Sequence, residues 1–355
     1  MWRSIPFEGK YLDDVLEMTR ENYGEIEIAQ EEFIRHEYFS NPAGDAIIQL
    51  AYADDKEQVA GQYLICPMRF SIRGKDVSCV LSLNTLTRRE YRGQGIFTGL
   101  AEAAYQRAAA AHAFCYGAPN PNSYPGFMKK LNFRHIGDLP LLLRPLKPSQ
   151  LLRERRIGMG LPAAAKIADP FFAPRKKNGG SQVTFQTISE ENLQYTDQFW
   201  GRICGKYPVM HVKDGSYIRF RYLDMPLRSY HVVMAFENGA PAALGVGRIM
   251  QVADMQCGML PDFVVAPGCR EAGIQLLHYF ETYFYENQAY LMGALMCKKT
   301  EEAAILKKAG FFRCPKKFEP QPFPLIVRTF DQCPEEAAVL DFDNWFFTMG
   351  DYDVI

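Results

Sequence analysis

Residues 83–97 read Leu-Asn-Thr-Leu-Thr-Arg-Arg-Glu-Tyr-Arg-Gly-Gln-Gly-Ile-Phe, and this stretch decides the fold. The apolar and β-branched run before it, residues 77–86, reads as a strand, and the Ala-rich run 96–111 after it reads as a helix. Between them Arg92-Gly93-Gln94-Gly95 must turn the chain. Glycine permits positive φ and lets a ligand approach the backbone closely. A helix N-terminus leaves N–H groups unpaired and carries partial positive charge. Together these make a pocket suited to a phosphate or pyrophosphate, to which Arg92 can add a bidentate clamp. The bland reading is a strand-to-helix turn that needs glycine only for its geometry. A dinucleotide fingerprint fails, because Thr98 stands where the third glycine belongs, and the Gly-Lys-Ser/Thr of a Walker loop is absent.

Working outward, the chain repeats itself. At an offset of 184, Ile34, Arg35, Tyr38 and Pro42 meet Ile218, Arg219, Tyr222 and Pro226. At an offset of 178, Cys79, Arg92, Gly95, Ile96, Tyr105, Ala111, Lys129, Lys130 and Phe133 meet Cys257, Arg270, Gly273, Ile274, Tyr283, Ala289, Lys307, Lys308 and Phe311. Nine identities in 55 columns are weak alone. The gapless register and the shared order of apolar and turn segments carry the reading of a duplication. The first copy is expected to run helix (12–35, punctuated by Gly24), strands 46–52 and 58–67, a hairpin 68–72 and 77–86, helix 96–111, strand 113–116 and a helical turn 124–131. The second is expected to place strands at 230–236, 242–249 and 255–265, a helix at 274–287, a strand at 290–296 and a helix at 301–309. Hairpins followed by strand–helix–strand imply an α/β fold with mixed sheets flanked by helices.

The organisation expected is a first domain over residues 1–146, a connector over 147–182, a second domain over 183–331 and a tail over 332–355. The connector holds a short helix at 149–156, several prolines and a basic Arg175-Lys-Lys turn. The tail holds Trp345, Phe346 and Phe347 together, so it packs on the body. Its acids, Asp351, Asp353 and the carboxylate of Ile355, read as solvated groups; delivery of a carboxylate to a cleft between the halves is the other reading.

Composition sets the bounds. With 40 Lys and Arg against 41 Asp and Glu, the net charge is −1, which lacks the basic footprint of a nucleic-acid partner. No apolar run reaches the roughly 20 residues of a membrane span. Nine cysteines without CxxC spacing, and six isolated histidines, argue against disulfides and a metal site. A reduced, cytoplasmic protein with no metal, no nucleic acid and no membrane is expected.

The turn resembles the acyl-CoA signature of the GNAT superfamily of N-acyltransferases, Gln/Arg-x-x-Gly-x-Gly/Ala, with Arg92 and Gly95 matching and Phe97 at the last small position. A second signature, Asn followed by a helix ending Tyr-x-Lys-x-Gly-Phe, resembles residues 122–133, where Asn122, Lys130 and Phe133 match and Asn132 replaces glycine. The whole chain is identified as a tandem pair of GNAT-like domains, each a mixed, mostly antiparallel sheet flanked by helices. The resemblance implies acetyl-CoA or another short acyl-CoA as co-substrate. Its pantetheine would lie against Leu86 and Thr87, its pyrophosphate on the amides of Arg92, Gly93, Gln94, Gly95, Ile96 and Phe97, and Asn122 would line the site. In the second copy Glu271 and Ala272 replace Gly93 and Gln94, so a carboxylate and a Cβ oppose the anion, and that half is expected to bind no CoA.

The family often supplies a Tyr as acid five residues before the final Phe; here that place is Met128, with Leu306 in the second copy. Tyr124 is the nearby candidate, and the bland alternative is that it fills the turn. Asn84, matched by Asp262, stands where a basic carboxylate would be looked for. The function expected is direct acyl transfer to the amine of a small molecule through the first domain. The alternatives are a Fem-type aminoacyl transferase using aminoacyl-tRNA and a non-catalytic acyl-CoA-binding protein.

Overall fold

A computed structural model describes residues 1–154, 166–167, 169–174, 183–252 and 255–352. The helix expected at 12–35 is two. In Leu12–Tyr23, Leu12, Val15, Leu16 and Met18 are buried at helical spacing, and Gly24, at φ 79°, ends the run. Glu31–Phe39 follows. In the first half the strands are β1 (Trp2–Pro6), β2 (Ile47–Ala53), β3 (Gln58–Ile72), β4 (Lys75–Thr87), β5 (Phe114–Gly117), β6 (Arg134–Asp138) and β7 (Leu141–Pro145). In the second they are β8 (Val183–Thr187), β9 (Val209–His211), β10 (His231–Glu237), β11 (Ala240–Val252), β12 (Met255–Val265), β13 (Leu291–Leu295), β14 (Phe312–Arg313), β15 (Pro324–Thr329) and β16 (Trp345–Phe346).

Two sequence expectations are corrected here. Residues 58–72 form one strand, unbroken at Pro67. Pro67 is in register with Val80, and its carbonyl accepts from Asn41 on the opposite edge. The backbone nitrogen of an extended residue lies on the same edge as its carbonyl, and that edge falls between the pairings with β2 and β9. The missing N–H therefore costs no ladder bond. The second copy's long helix is Arg270–Glu286, beginning four residues before the expected Ile274.

The strands form two mixed, mostly antiparallel sheets flanked by helices, ordered β1-β2-β3-β4-β5-β15-β6 and β14-β7-β13-β12-β11-β10-β8. β4–β5 and β12–β13 are parallel pairs, and each is joined through a helix, Ile96–Ala108 or Arg270–Glu286, so the two halves share one order. The division at residues 146 and 331 does not hold for the sheets. β7 of the first half pairs with β13 and β14 of the second, and β15 of the second pairs with β5 and β6 of the first. Each half thus completes the other's sheet, and the backbone hydrogen bonds of this exchange hold the halves together.

The connector's helix is Pro148–Glu154; Arg175 and its lysine neighbours lie outside the described residues. The tail's Trp345, Phe346 and Phe347 are buried, and Trp345 meets the rings of Phe70 and Phe114 at 5.4 and 6.0 Å.

Candidate functional site

β4 and β5 are in register only at Val80↔Cys115 and Leu81↔Tyr116. β4 then runs on to Thr87 while β5 ends at Gly117, so the strands splay. The bend has a local cause. The β3–β4 register passes from Leu64↔Leu83 to Gln62↔Leu86, leaving Asn84 and Thr85 as an extra pair out of register with β3. Asn84 takes φ 45°, a left-handed conformation that Asn tolerates, and Gln62 donates to its carbonyl. The side-chain amide of Asn84 reaches Glu37 at 3.2 Å and Tyr38 at 3.3 Å. Glu37 is a buried carboxylate that sequence reasoning missed, although it lies inside the repeated segment.

The splay opens into a cavity of about 1060 Å³. Leu83, Asn84, Gly117 and Asn120 of the first half face Arg248, Met250 and Gln256 of the second, with Tyr352 of the tail completing the wall. At its rim Glu27 bridges Arg228 at 2.6 Å and Arg248 at 2.8 Å, tying the halves across the opening.

From Leu83 to Thr87 no strand among the described residues covers the β5-facing edge of β4, and this edge ends near the glycine turn. Gly93 and Gly95 have φ 80° and 78°, and a Cβ built at either meets nothing within 4 Å. The N–H groups of residues 93–98 donate to no described residue. This is an exposed helix N-terminus with room for an anion, and it fits a pyrophosphate. The turn is anchored from both sides. Trp2 donates to the carbonyl of Gln94, and Arg92 donates to the carbonyl of Thr87 and to Asn22. Arg88, nearly buried, binds Glu17, Glu21 and the carbonyl of Val59, which pins the first helix to the end of β4.

The other site candidates divide. Leu86 and Thr87 are in register with Gln62 and Gly61 and keep their opposite edge open. Ile96 is buried in the helix's first turn. Phe97 turns inward onto Tyr63 and Phe127, and a Cβ at Gly126 would lie 2.8 Å from its ring, so it does not narrow the cavity. Asn122 is exposed; Asn120, which lines the cavity, accepts its N–H and that of Ser123. Tyr124 does not line the cavity, and its hydroxyl meets His135 at 2.9 Å. Asn132, in place of the family's glycine, adopts φ 54°. At the apex Ser82 lines the cavity and meets the Tyr63 hydroxyl at 2.9 Å; Tyr63 in turn meets Tyr105.

The second half makes the same splay and fills it. β12 and β13 are paired through Leu260↔Ala294, and beyond them Cys297 N–H donates to Phe347 while Met296 bridges Thr348. Behind this lies a fully buried cluster. Lys213 donates to Asp262 at 2.7 Å and Asp351 at 2.5 Å, and Thr348 donates to Asp262 at 2.5 Å. Burial opposes the Lys213 charge, but the two carboxylates outweigh it and raise its pKa above the usual lysine value. Asp351 is thus an ion-paired core residue, correcting its reading as a solvated acid; Asp353 and Ile355 lie outside the described residues. Gly273, matched to Gly95 in the repeat, lies inside its helix, where a Cβ would come 2.5 Å from Val265. Among the described residues no group of His, Cys, Asp or Glu is placed to hold a metal ion, and no helix is long and apolar enough to cross a membrane.

Residues 5–136 match the family model described as Acetyltransferase (GNAT) domain. The match lies in the first half of the chain, and the second sheet has the same strand order as the first. A search of curated proteins found no match. Solved structures share the fold. A GCN5-related N-acetyltransferase from Anabaena variabilis superposes with TM-score 0.64 at 10% identity, covering 93% of this chain and 73% of that one. Saccharomyces cerevisiae N-myristoyltransferase with bound myristoyl-CoA gives 0.64 at 12%, covering 93% and 83%. A GCN5-related N-acetyltransferase from Kribbella flavida gives 0.62 at 14%, covering 93% and 72%.

Proposed function

We propose that this protein is an N-acyltransferase whose first half holds a short acyl-CoA and whose acceptor is the amine of a small molecule entering between the halves. One arrangement supports this above all. An open strand edge leads from a helix N-terminus with unpaired amides to a cavity walled by both halves. In the second half the tail lies in the corresponding splay. Nine free cysteines support a reducing, cytoplasmic setting.

Bound acyl-CoA supplies an activated thioester. The amides of Gly93 to Phe97 hold the pyrophosphate, and the free edge at Leu86 and Thr87 lines the pantetheine. The thioester lies beside the bulge at Asn84 and Thr85, where the β3–β4 register is interrupted. The Glu37 and Tyr38 contacts hold that bulge in place. Glu27 is engaged by two arginines at the rim, and the amine proton leaves through water among the carboxamides of Asn84, Asn120 and Gln256. With Tyr124 committed to His135, we assign protonation of the thiolate to Ser82, backed by Tyr63.

The test is calorimetric titration of acetyl-CoA into wild type and Gly95→Glu. Wild type should bind, and the new carboxylate should weaken binding by at least about tenfold. Gly95→Asn, which tolerates left-handed backbone, separates charge from strain and should bind nearly as wild type. Failure of the folded wild type to bind would end this reading.

A further inference from the structure

Leu83 and Tyr352 form part of the cavity wall and also line a second, smaller cavity of about 30 Å³ behind it. That space lies on the face of β4 occupied by the second helix of the chain and is bounded by Cys66, Met68, Phe220 and Met225. The polar residues around it direct their polar atoms elsewhere. Arg221 donates to the carbonyls of Gly350 and Tyr352, Asp351 accepts from Lys213, and Glu37 accepts from Asn84. The surface that remains is mostly carbon. A space of this size accommodates about two water-sized groups, yet a water there would find few partners, and an empty void forfeits dispersion contacts with its lining. An apolar group of two or three carbons suits it better than solvent.

We propose that this small cavity receives the distal carbons of the donor's acyl chain, so that the protein prefers an acyl group of about four carbons to acetyl. The inference rests on the proposed function, which places the thioester at the splay beside Leu83. The chain passes between Leu83 and Tyr352, both at the junction of the two spaces. The chemistry is unchanged by length. The acyl carbon exchanges its bond to sulfur for one to the amine nitrogen, the amine loses a proton, and the departing thiolate takes one up.

The test is calorimetry on the full chain with CoA, acetyl-CoA, butanoyl-CoA and octanoyl-CoA. Burying each methylene favours binding about fourfold. Butanoyl-CoA, with two more methylenes, should therefore bind about fifteenfold more tightly than acetyl-CoA, and octanoyl-CoA should lose that gain because the space is filled. Met225→Ala, which enlarges the pocket, should shift the preference toward longer chains. Cys66→Leu, which fills it, should abolish the advantage of butanoyl-CoA; if overpacking unfolds that variant, Met225→Ala still decides. Acetyl-CoA and butanoyl-CoA binding equally, with Met225→Ala leaving the series unchanged, would overturn this inference and leave the proposed function standing. Binding of none of the four would overturn both.

Discussion

Tyr222 donates a 2.5 Å hydrogen bond to Asp262, and at the matching positions of the first half Tyr38 meets Asn84 at 3.3 Å. The same helix-to-strand contact occurs in both halves at the point where the central strands part. In one half the strand residue is charged, matched by a buried lysine, and covered by the tail. In the other it is a neutral amide on the wall of an open cavity. A single Asn/Asp difference thus marks the division between an open cleft and one that holds the chain's own C-terminal segment.

Lys213→Met should be among the most destabilising single changes in the protein. It leaves Asp262 and Asp351 buried without their cation, at a cost of about 3–5 kcal/mol. Urea denaturation measures this, and adding Asp262→Asn to the lysine variant should recover part of the loss. Because the folded pKa of Lys213 is raised, the wild-type contribution is complete below about pH 10.5 and fades only as pH rises beyond it.

His211 should make the protein acid-sensitive. It is buried against Phe70 and Tyr217 with no hydrogen-bond partner for either ring nitrogen among the described residues, 3.9 Å from Asp351. Burial, reinforced by Lys213, lowers its pKa from 6.5 to about 3. The unfolded chain takes up the proton first, so this stability is present above pH 6.5 and drains away as pH falls toward 3. At pH 5 the loss is about 2 kcal/mol. His211→Phe should flatten the difference between denaturation curves at pH 7 and pH 5; an unchanged difference would assign the acid sensitivity to other groups.

Ser82→Ala and Tyr124→Phe separate two candidate acids. With Ser82 at the cavity apex and the Tyr124 hydroxyl on His135, the first change should lower kcat by about a hundredfold and the second by less than about threefold. KM for acyl-CoA should stay nearly constant in both, because neither side chain contacts the glycine turn. The reverse ranking would return the acid role to Tyr124.

Much of the fold was legible because its signals are local. Strand, glycine turn and helix at 83–97 follow from residues that are neighbours in sequence, and the positive φ of Gly93 and Gly95 is the reason those positions are glycine. The repeat could be read because identities at Tyr38 and Tyr222 report a shared structural role. Pro67 looked like a strand end because nothing local says which edge of β3 is uncovered there. Tyr124 looked available because His135, eleven residues on, is brought to it only by the packing of β6 beside its helix. Phe97 faces the core because Gly126 leaves room for its ring.

The sequence by itself determined the class of the fold, its duplication and the anion-ready turn, since each depends on hydrophobic period, backbone freedom and charge within short windows. Tertiary structure alone decided the exchange of β7 and β15, the burial of Asp351 beside Lys213 and Asp262, and the cavity shared by Asn84, Arg248 and Tyr352. These contacts join residues from separate parts of the chain. They arise where two sheets must cover each other's edges and bury apolar faces, a condition that no short window of sequence records.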